Sequence, residues 1–363
     1  VFRSRTLADA LESGKDNFLL LRFLAAAMVV YGHGPAIAGG HAWPDLFSWL
    51  SWGTYSGDIA VNIFFVTSGY MIAGSYLRRA HVFDFLWARV LRIYPAYLIC
   101  LLVSAYLLGP WLTVLPVRTY LGDHAVLHYV SKNLELGKGL AWSLPGIFGD
   151  NPLPDIVNGS IWTLPAEIRM YLWVAAVGCV GVLARRSLVN VLLLALLTLG
   201  MLAPDRLPLV PLASHVRLAG YFALGVFCFV NRTWLRYGWW WFALATVLAW
   251  LLRSTMLYPF VFALALTAFV FAFAYATPWR GFNRLGDYSY GLYLWGFPMQ
   301  QVVASHTSGW ALSCNAVFAL PLATLLAVVS WHGIEKPILR LKSWPTRLYR
   351  RLRSRNTTVL AGE

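Results

Sequence analysis

The sequence has 363 residues, of which 59% are hydrophobic and 12% charged, with a mean hydropathy of +0.61. A soluble domain carries roughly a quarter charged residues, and single water-soluble cores stop growing near this chain length. The composition therefore excludes an ordinary globular protein and points to the bilayer as solvent. A net charge of +14 raises nucleic acid as a ligand, but the placement of that charge, described next, argues for membrane topology instead.

Residues 1–17 are mixed and polar, and the apolar run that follows continues past any signal cleavage site, so it is expected to stay as a first span. A spanning helix takes about 20 mostly apolar residues. Ten segments qualify in chain order: 18–38, 58–77, 91–109, 161–183, 188–203, 211–230, 239–252, 256–277, 287–304 and 310–331, the fifth and seventh being short. If the amino terminus is cytoplasmic, 21 of the 29 Lys and Arg fall on that side, counting Arg92 at the edge of the third span. Such alternation in phase is the positive-inside pattern. The expected fold is an all-α integral membrane bundle of about ten spans with both termini cytoplasmic. Residues 1–335 form one membrane domain and 336–363 a basic tail, read as a topology anchor or as a surface segment on anionic lipid. Residues 39–57 and the proline-rich 110–160 form the two long connections on the outer side, and long connections are often functional. Cys100, Cys179, Cys228 and Cys314 lie in apolar runs without paired spacing, so they read as small buried hydrophobes, and no metal site is legible.

Ionisable groups inside spans are costly and tend to mark sites or pathways. Arg22 and His33 stand eleven residues apart in the first span. On a helix that is about 16.5 Å and three turns, and within about 20° of one face. An arginine only donates, keeps its charge and suits phosphate, whereas a histidine accepts a proton near neutral pH. The face thus offers an anion clamp at its cytoplasmic end and a base at its outer end. Taken singly, Arg22 reads as well as a snorkelling cation and His33 as a bonded core histidine. The shared face, and Gly32 and Gly34 opening space beside the ring, favour function. In the second span Asn62, Thr67 and Ser68 read equally as helix-packing glue or as pore lining. Arg89 and Arg92, one turn apart, fit either an anchor for a polyanionic nucleotide or the positive-inside pattern alone. Pro165 opens the fourth span. Behind it Glu167 enters from the outer side, placed to orient His33 or to pair with Arg169.

Six segments in order resemble the motifs of the acyltransferase-3 family of membrane acyltransferases. They are Arg22 with His33, Asn62–Tyr70, Arg89–Pro95, Ser160–Glu167, Leu285–Trp295 with its Ser289, Tyr290 and Tyr293, and Ile334–Pro337. The resemblance covers almost the whole chain and implies a ten-span bundle of a bacterial inner membrane. Such a protein binds no cofactor. It takes an acyl group from cytoplasmic acyl-CoA, acetyl-CoA first among them, to a hydroxyl at the outer face, usually of a sugar. It implies Arg22, Arg89 and Arg92 on the donor side, and His33 with Glu167 on the acceptor side. Gly296 departs from the pattern, because many members carry histidine after the tryptophan at this point. The chain also resembles the short form without an appended periplasmic domain.

The expected chemistry places His33 as general base for the acceptor hydroxyl, with Ser68, Tyr290 and Trp162 as candidate oxyanion donors and Asn62 and Tyr293 as further pocket residues. An exopolysaccharide unit on its lipid carrier is the first acceptor, and O-antigen or a small hydrophobic molecule follows. Partners are then this glycan and membrane lipid, with no nucleic acid. Two rivals are open. A transporter of polysaccharide or lipid carrier would show inverted repeats, and none is seen. A glycosyltransferase would gather acidic metal ligands in an outer loop, whereas Asp123, Asp150 and Asp155 are scattered.

Overall fold

The computed structural model describes residues 6–39, 44–79, 81–137, 139–203, 206 and 213–344. Among them every regular element is helical, the one β-type contact being an isolated bridge between Thr6 and Arg236. Ten apolar helices carry the fold: α1 Phe18–Ile37, α2 Ser56–Arg79, α3 Val82–Val103, α4 Leu164–Cys179, α5 Arg186–Leu202, α6 Ala213–Val230, α7 Trp239–Leu251, α8 Tyr258–Ala276, α9 Ser289–His306 and α10 Asn315–Ser330. Each predicted segment overlaps one of them. Among the described residues, five helical stretches are long and apolar enough to cross a bilayer: Phe18–Ile37, Ser56–Arg79, Val82–Leu112, Tyr258–Ala276 and Asn315–Lys342.

The bounds differ where charge was taken for loop. The third helix begins at Val82 and not near 91, so Arg89 lies well inside it, and it continues through a π-helical turn, Ser104–Leu108, to Leu112. The tenth passes through a second π-helical turn, Trp331–Glu335, into Lys336–Leu339 and Arg340–Ser343. The predicted basic tail is therefore partly helix, and residues 345–363 of it lie outside the described residues. Residues 110–160 are packed structure more than open loop. They hold the helices Val117–Gly122 and His124–Leu134, and the Asn133 side chain bonds both the N–H and the carbonyl of Ala141 at 3.0 and 2.9 Å. Of the four cysteines, Cys179 at the end of α4 is exposed, contrary to expectation.

The basic connections meet at one end of the bundle. Leu7 and Ala8 donate backbone hydrogen bonds to Leu235 and Arg232 between α6 and α7. Asn17 donates to the carbonyl and hydroxyl of Thr277 after α8 (2.8 and 2.6 Å), Asn283 bonds the Asp16 carbonyl, and Arg186 bonds Asn231 (2.8 Å). The connections predicted as external meet at the other end. There Asp45 caps the Ser56 backbone at 3.0 Å, Asp58 pairs with Arg217 at 2.7 Å, and Asn151 bonds Gln301 at 2.9 Å.

Small residues let the central helices approach. A Cβ on Gly69 of α2 would lie 2.0 Å from the Phe222 carbonyl oxygen of α6, and one on Gly225 of α6 would lie 2.1 Å from the Val66 carbonyl oxygen of α2. Each helix thus presents a glycine to the other's backbone, the arrangement that gives close packing in a membrane. Gly32 serves the same end. A Cβ there would meet the Gly57 nitrogen at 2.4 Å, so this glycine admits α2 and does not open room beside His33. Backbone cannot move aside cheaply, so Gly69→Ala and Gly225→Ala are each expected to cost about 1–3 kcal/mol or more. Thermal unfolding in nanodiscs should show the loss. Gly281→Ala, which meets nothing within 4 Å, should leave the Tm unchanged.

Candidate functional site

One face of α2 lines a cavity among the described residues. Val61, Phe64, Phe65, Ser68, Met71, Ile72, Ser75, Arg78 and Arg79 all border it, and their spacing of three and four residues is that of a single helical stripe. From Val61 to Arg79 the stripe runs about 27 Å at 1.5 Å per residue. The cavity holds about 270 Å³ and is closed by Arg22 of α1, Arg89 and Arg92 of α3, Glu167 and Tyr171 of α4, and Tyr290 and Tyr293 of α9. Five arginines therefore face one cavity, Arg78 and Arg79 at the basic end of the bundle.

Two of the five are already engaged. Arg92 points Nη2 at Asp287 (2.6 Å) and Nη1 at Glu335 (3.0 Å), with its guanidinium 5.4 Å from the centre of the Tyr290 ring. Arg22 shares the same Asp287 oxygen at 3.3 Å. Ser289 donates to the other Asp287 oxygen at 2.5 Å, and Ser330 donates to Glu335 at 3.1 Å. Both carboxylates are buried. Burial pushes the Asp287 carboxyl, in the connection ahead of α9, upward, and the Arg22 and Arg92 guanidinium groups outweigh that effect and hold it at about 2. The network ties α1, α3, the start of α9 and the end of α10 together.

Of the residues expected to form the site, Arg22, Ser68, Arg89, Arg92, Glu167, Tyr290 and Tyr293 border the cavity, whereas His33, Asn62 and Trp162 do not. Glu167 accepts a hydrogen bond from the Tyr171 hydroxyl one turn along α4, and no pairing with His33 or Arg169 is seen. Arg169 reaches instead to His215 Nδ1 and the Gly137 carbonyl, both at 3.2 Å. His33 stands edge-on to Phe297 of α9, with ring centres 5.3 Å apart, and its Nδ1 is buried without a partner among the described residues. Trp162 stacks on His215 at 6.0 Å, and Asn62 is buried with its Oδ1 unpartnered. Tyr293 bonds the Thr163 hydroxyl at 2.5 Å and the Ser160 carbonyl, while Tyr290 donates to the Ile93 carbonyl at 2.9 Å. A Cβ at Gly296 would lie 2.6 Å from Val30 Cγ2. The space a histidine would fill there is occupied by α1.

Sequence reasoning gave Tyr171, Asp287 and Glu335 no role in the site, although the two acids lie in two of the six motif segments, and counted Arg78 and Arg79 only as topology charges. The available signal was a carboxylate at the basic edge of an apolar run, where few acids occur.

The chain is thus a helical membrane bundle with a cavity lined by five arginines and one carboxylate. The family profile described as an acyltransferase domain matches residues 16–332, and the chain belongs to the acyltransferase-3 family. It is similar to an O-acetyl transferase of Shigella phage Sf6, at 26% identity over 91% of this chain and 98% of that protein. It is also similar to nodulation protein 10 of Rhizobium leguminosarum bv. viciae, at 25% identity over 91% of this chain and 94% of that protein. No solved structure matches the chain.

Removing one partner of a buried ion pair leaves a charge uncompensated, so Asp287→Ala should cost about 3–5 kcal/mol. A carboxyl held below its ordinary value contributes stability above that value and loses it as pH falls. The contribution of Asp287 should therefore disappear between about pH 4 and about pH 2. Thermal unfolding of the wild type should weaken across that window by more than Asp287→Asn does, and parallel curves would disprove the role of the pair.

Proposed function

We propose that the protein is a multi-pass O-acyltransferase of a bacterial inner membrane. It moves an acyl group, acetyl first among them, from cytoplasmic acyl-CoA to a hydroxyl of an extracytoplasmic glycan such as an exopolysaccharide unit on its lipid carrier. The observation that carries this reading is the cavity. It joins an arginine-rich mouth, which suits phosphates, to the Glu167–Tyr171 pair along one helix face. The similarity to an O-acetyl transferase supports acetyl and oxygen as the transferred group and its acceptor atom. In this reading all ten helices cross the bilayer, and the end where the basic connections meet is cytoplasmic, together with both termini.

The reaction then proceeds as an acyl exchange. His33 takes the proton of the acceptor hydroxyl while the oxygen bonds to the thioester carbonyl carbon. The carbon–sulfur bond breaks, and the departing thiolate takes the proton from His33, leaving an ester and a free thiol. The pantetheine arm lies along the face shared by Arg22 and His33, and the Ser68 hydroxyl, which borders the cavity, donates to the developing oxyanion, whereas the Tyr290 hydroxyl is engaged with the Ile93 carbonyl. A second reading is favoured by one observation, that Glu167 borders the cavity and His33 does not. It gives the base's role to Glu167, held by the Tyr171 hydroxyl.

Purified protein in nanodiscs, supplied with radiolabelled acetyl-CoA and a lipid-linked glycan, distinguishes the two. Loss of the base should cost about 10²–10⁴-fold in turnover. A loss of that size in His33→Ala with Glu167→Gln active supports the first reading, and the reverse supports the second. If both variants keep wild-type turnover, neither group is the base. Mass spectrometry of the surface polysaccharide, with and without the gene, should show the loss of one acetyl per modified unit. An unchanged polysaccharide would exclude that acceptor.

A further inference from the structure

We infer that the phosphate-bearing part of the substrate binds Arg78, Arg79 and Arg89, and that Arg22 and Arg92 are structural. This rests on the reading of the cavity as a donor site and divides its five arginines into two sets.

The first set is closed. Arg92 has one terminal nitrogen on each of two buried carboxylates, and Arg22 leans on one of them. A phosphate brought to either guanidinium would stand beside Asp287 and Glu335, and like charges in a poorly solvated site repel strongly. The second set is open. Arg78, Arg79 and Arg89 make no ion pair with a carboxylate among the described residues. Arg79 donates through Nη1 to the hydroxyl and carbonyl of Ser75, which leaves its other donors for a ligand. Arg89 lies 5.8 Å from the centres of both the Phe85 and the Tyr171 ring, and its Nε is buried with no partner. A buried donor of this kind is expensive to leave unbonded, and an anion entering the cavity would satisfy it.

The placement is also favourable. Arg78 and Arg79 end α2, and Arg89 lies two turns into α3, which begins at Val82. The three guanidinium groups thus come from the two arms of one helical hairpin at the cytoplasmic mouth. An anion bound among them relieves their mutual repulsion. A diphosphate, with several oxygens to distribute, matches three forked donors better than a single carboxylate does.

The test is equilibrium binding of coenzyme A, ADP and pyrophosphate to the full chain in nanodiscs of phosphatidylcholine alone. Arg79→Gln and Arg89→Gln should each weaken coenzyme A and ADP by about tenfold or more, with the Tm unchanged and Arg89→Lys restoring part of the loss. Arg92→Gln should instead lower the Tm, because Asp287 and Glu335 lose their shared partner, and Arg253→Gln, which stacks on Trp250 and does not border the cavity, should leave both affinity and Tm unchanged. If coenzyme A binds the wild type and both glutamine variants equally, the division is wrong and the donor reading stands. If pyrophosphate binds through these arginines but coenzyme A does not, the anion site stands and the donor reading falls. Displacement of ADP by added phosphatidylglycerol would make a lipid headgroup the occupant and overturn the nucleotide. No binding of any of the three by the wild type would overturn both.

Discussion

Arg92 is held between two carboxylates, 2.6 Å from Asp287 and 3.0 Å from Glu335, in a bundle where water is scarce. A lone guanidinium at such depth is costly, and the protein offsets the cost with acids from two other parts of the fold. Those acids fix the basic end of the bundle. Asp287 also receives Arg22, so the first helix is set against the third, and Glu335 brings the end of the tenth helix to the same point. The arginines on α1 and α3 are thereby kept at the cavity wall in fixed positions. A looser arrangement would let these long side chains turn toward the lipid headgroups.

The second helix organises the rest. Its cavity face carries polar residues at helical spacing, and another part of its surface carries Gly69, where the sixth helix comes to within backbone contact. Such close approach substitutes for the hydrophobic drive that a membrane helix lacks, because lipid tails are as apolar as leucine. The consequence for chemistry is rigidity. With one side of α2 pressed on α6, the other side presents Ser68, Ser75, Arg78 and Arg79 along a straight wall, and Glu167 and Tyr171 face it from α4.

Much of this could be read from the residues. The apolar runs located ten helices, because burying backbone in lipid demands long uninterrupted hydrophobic stretches. The charge alternation sorted the connections into two groups that the fold gathers at opposite ends. The arginines at 22, 89 and 92 were visible as charges where none was expected. What remained hidden is contact between distant parts of the chain. Arg92 and its two acids are separated by 195 and 243 residues, and no local period reports such a pairing. Glu167 was assigned a partner from its predicted depth, yet its bond goes to Tyr171 one turn away. Depth alone cannot say which way a side chain turns. Helix bounds failed at Val82 for a related reason, since arginine is a good helix former and a charged stretch can be helix as readily as loop.

The long separation within that network also bears on how the protein is made. Arg22 and Arg92 leave the ribosome well before the acids at 287 and 335, and during that interval neither has its carboxylate. Until the ninth and tenth helices are made, those guanidinium groups lack the carboxylates that hold them in the finished bundle. The basic end of the bundle is therefore assembled last, although its arginines are among the first residues synthesised. The last contacts of that network to form are thus the ones that join the two ends of the chain.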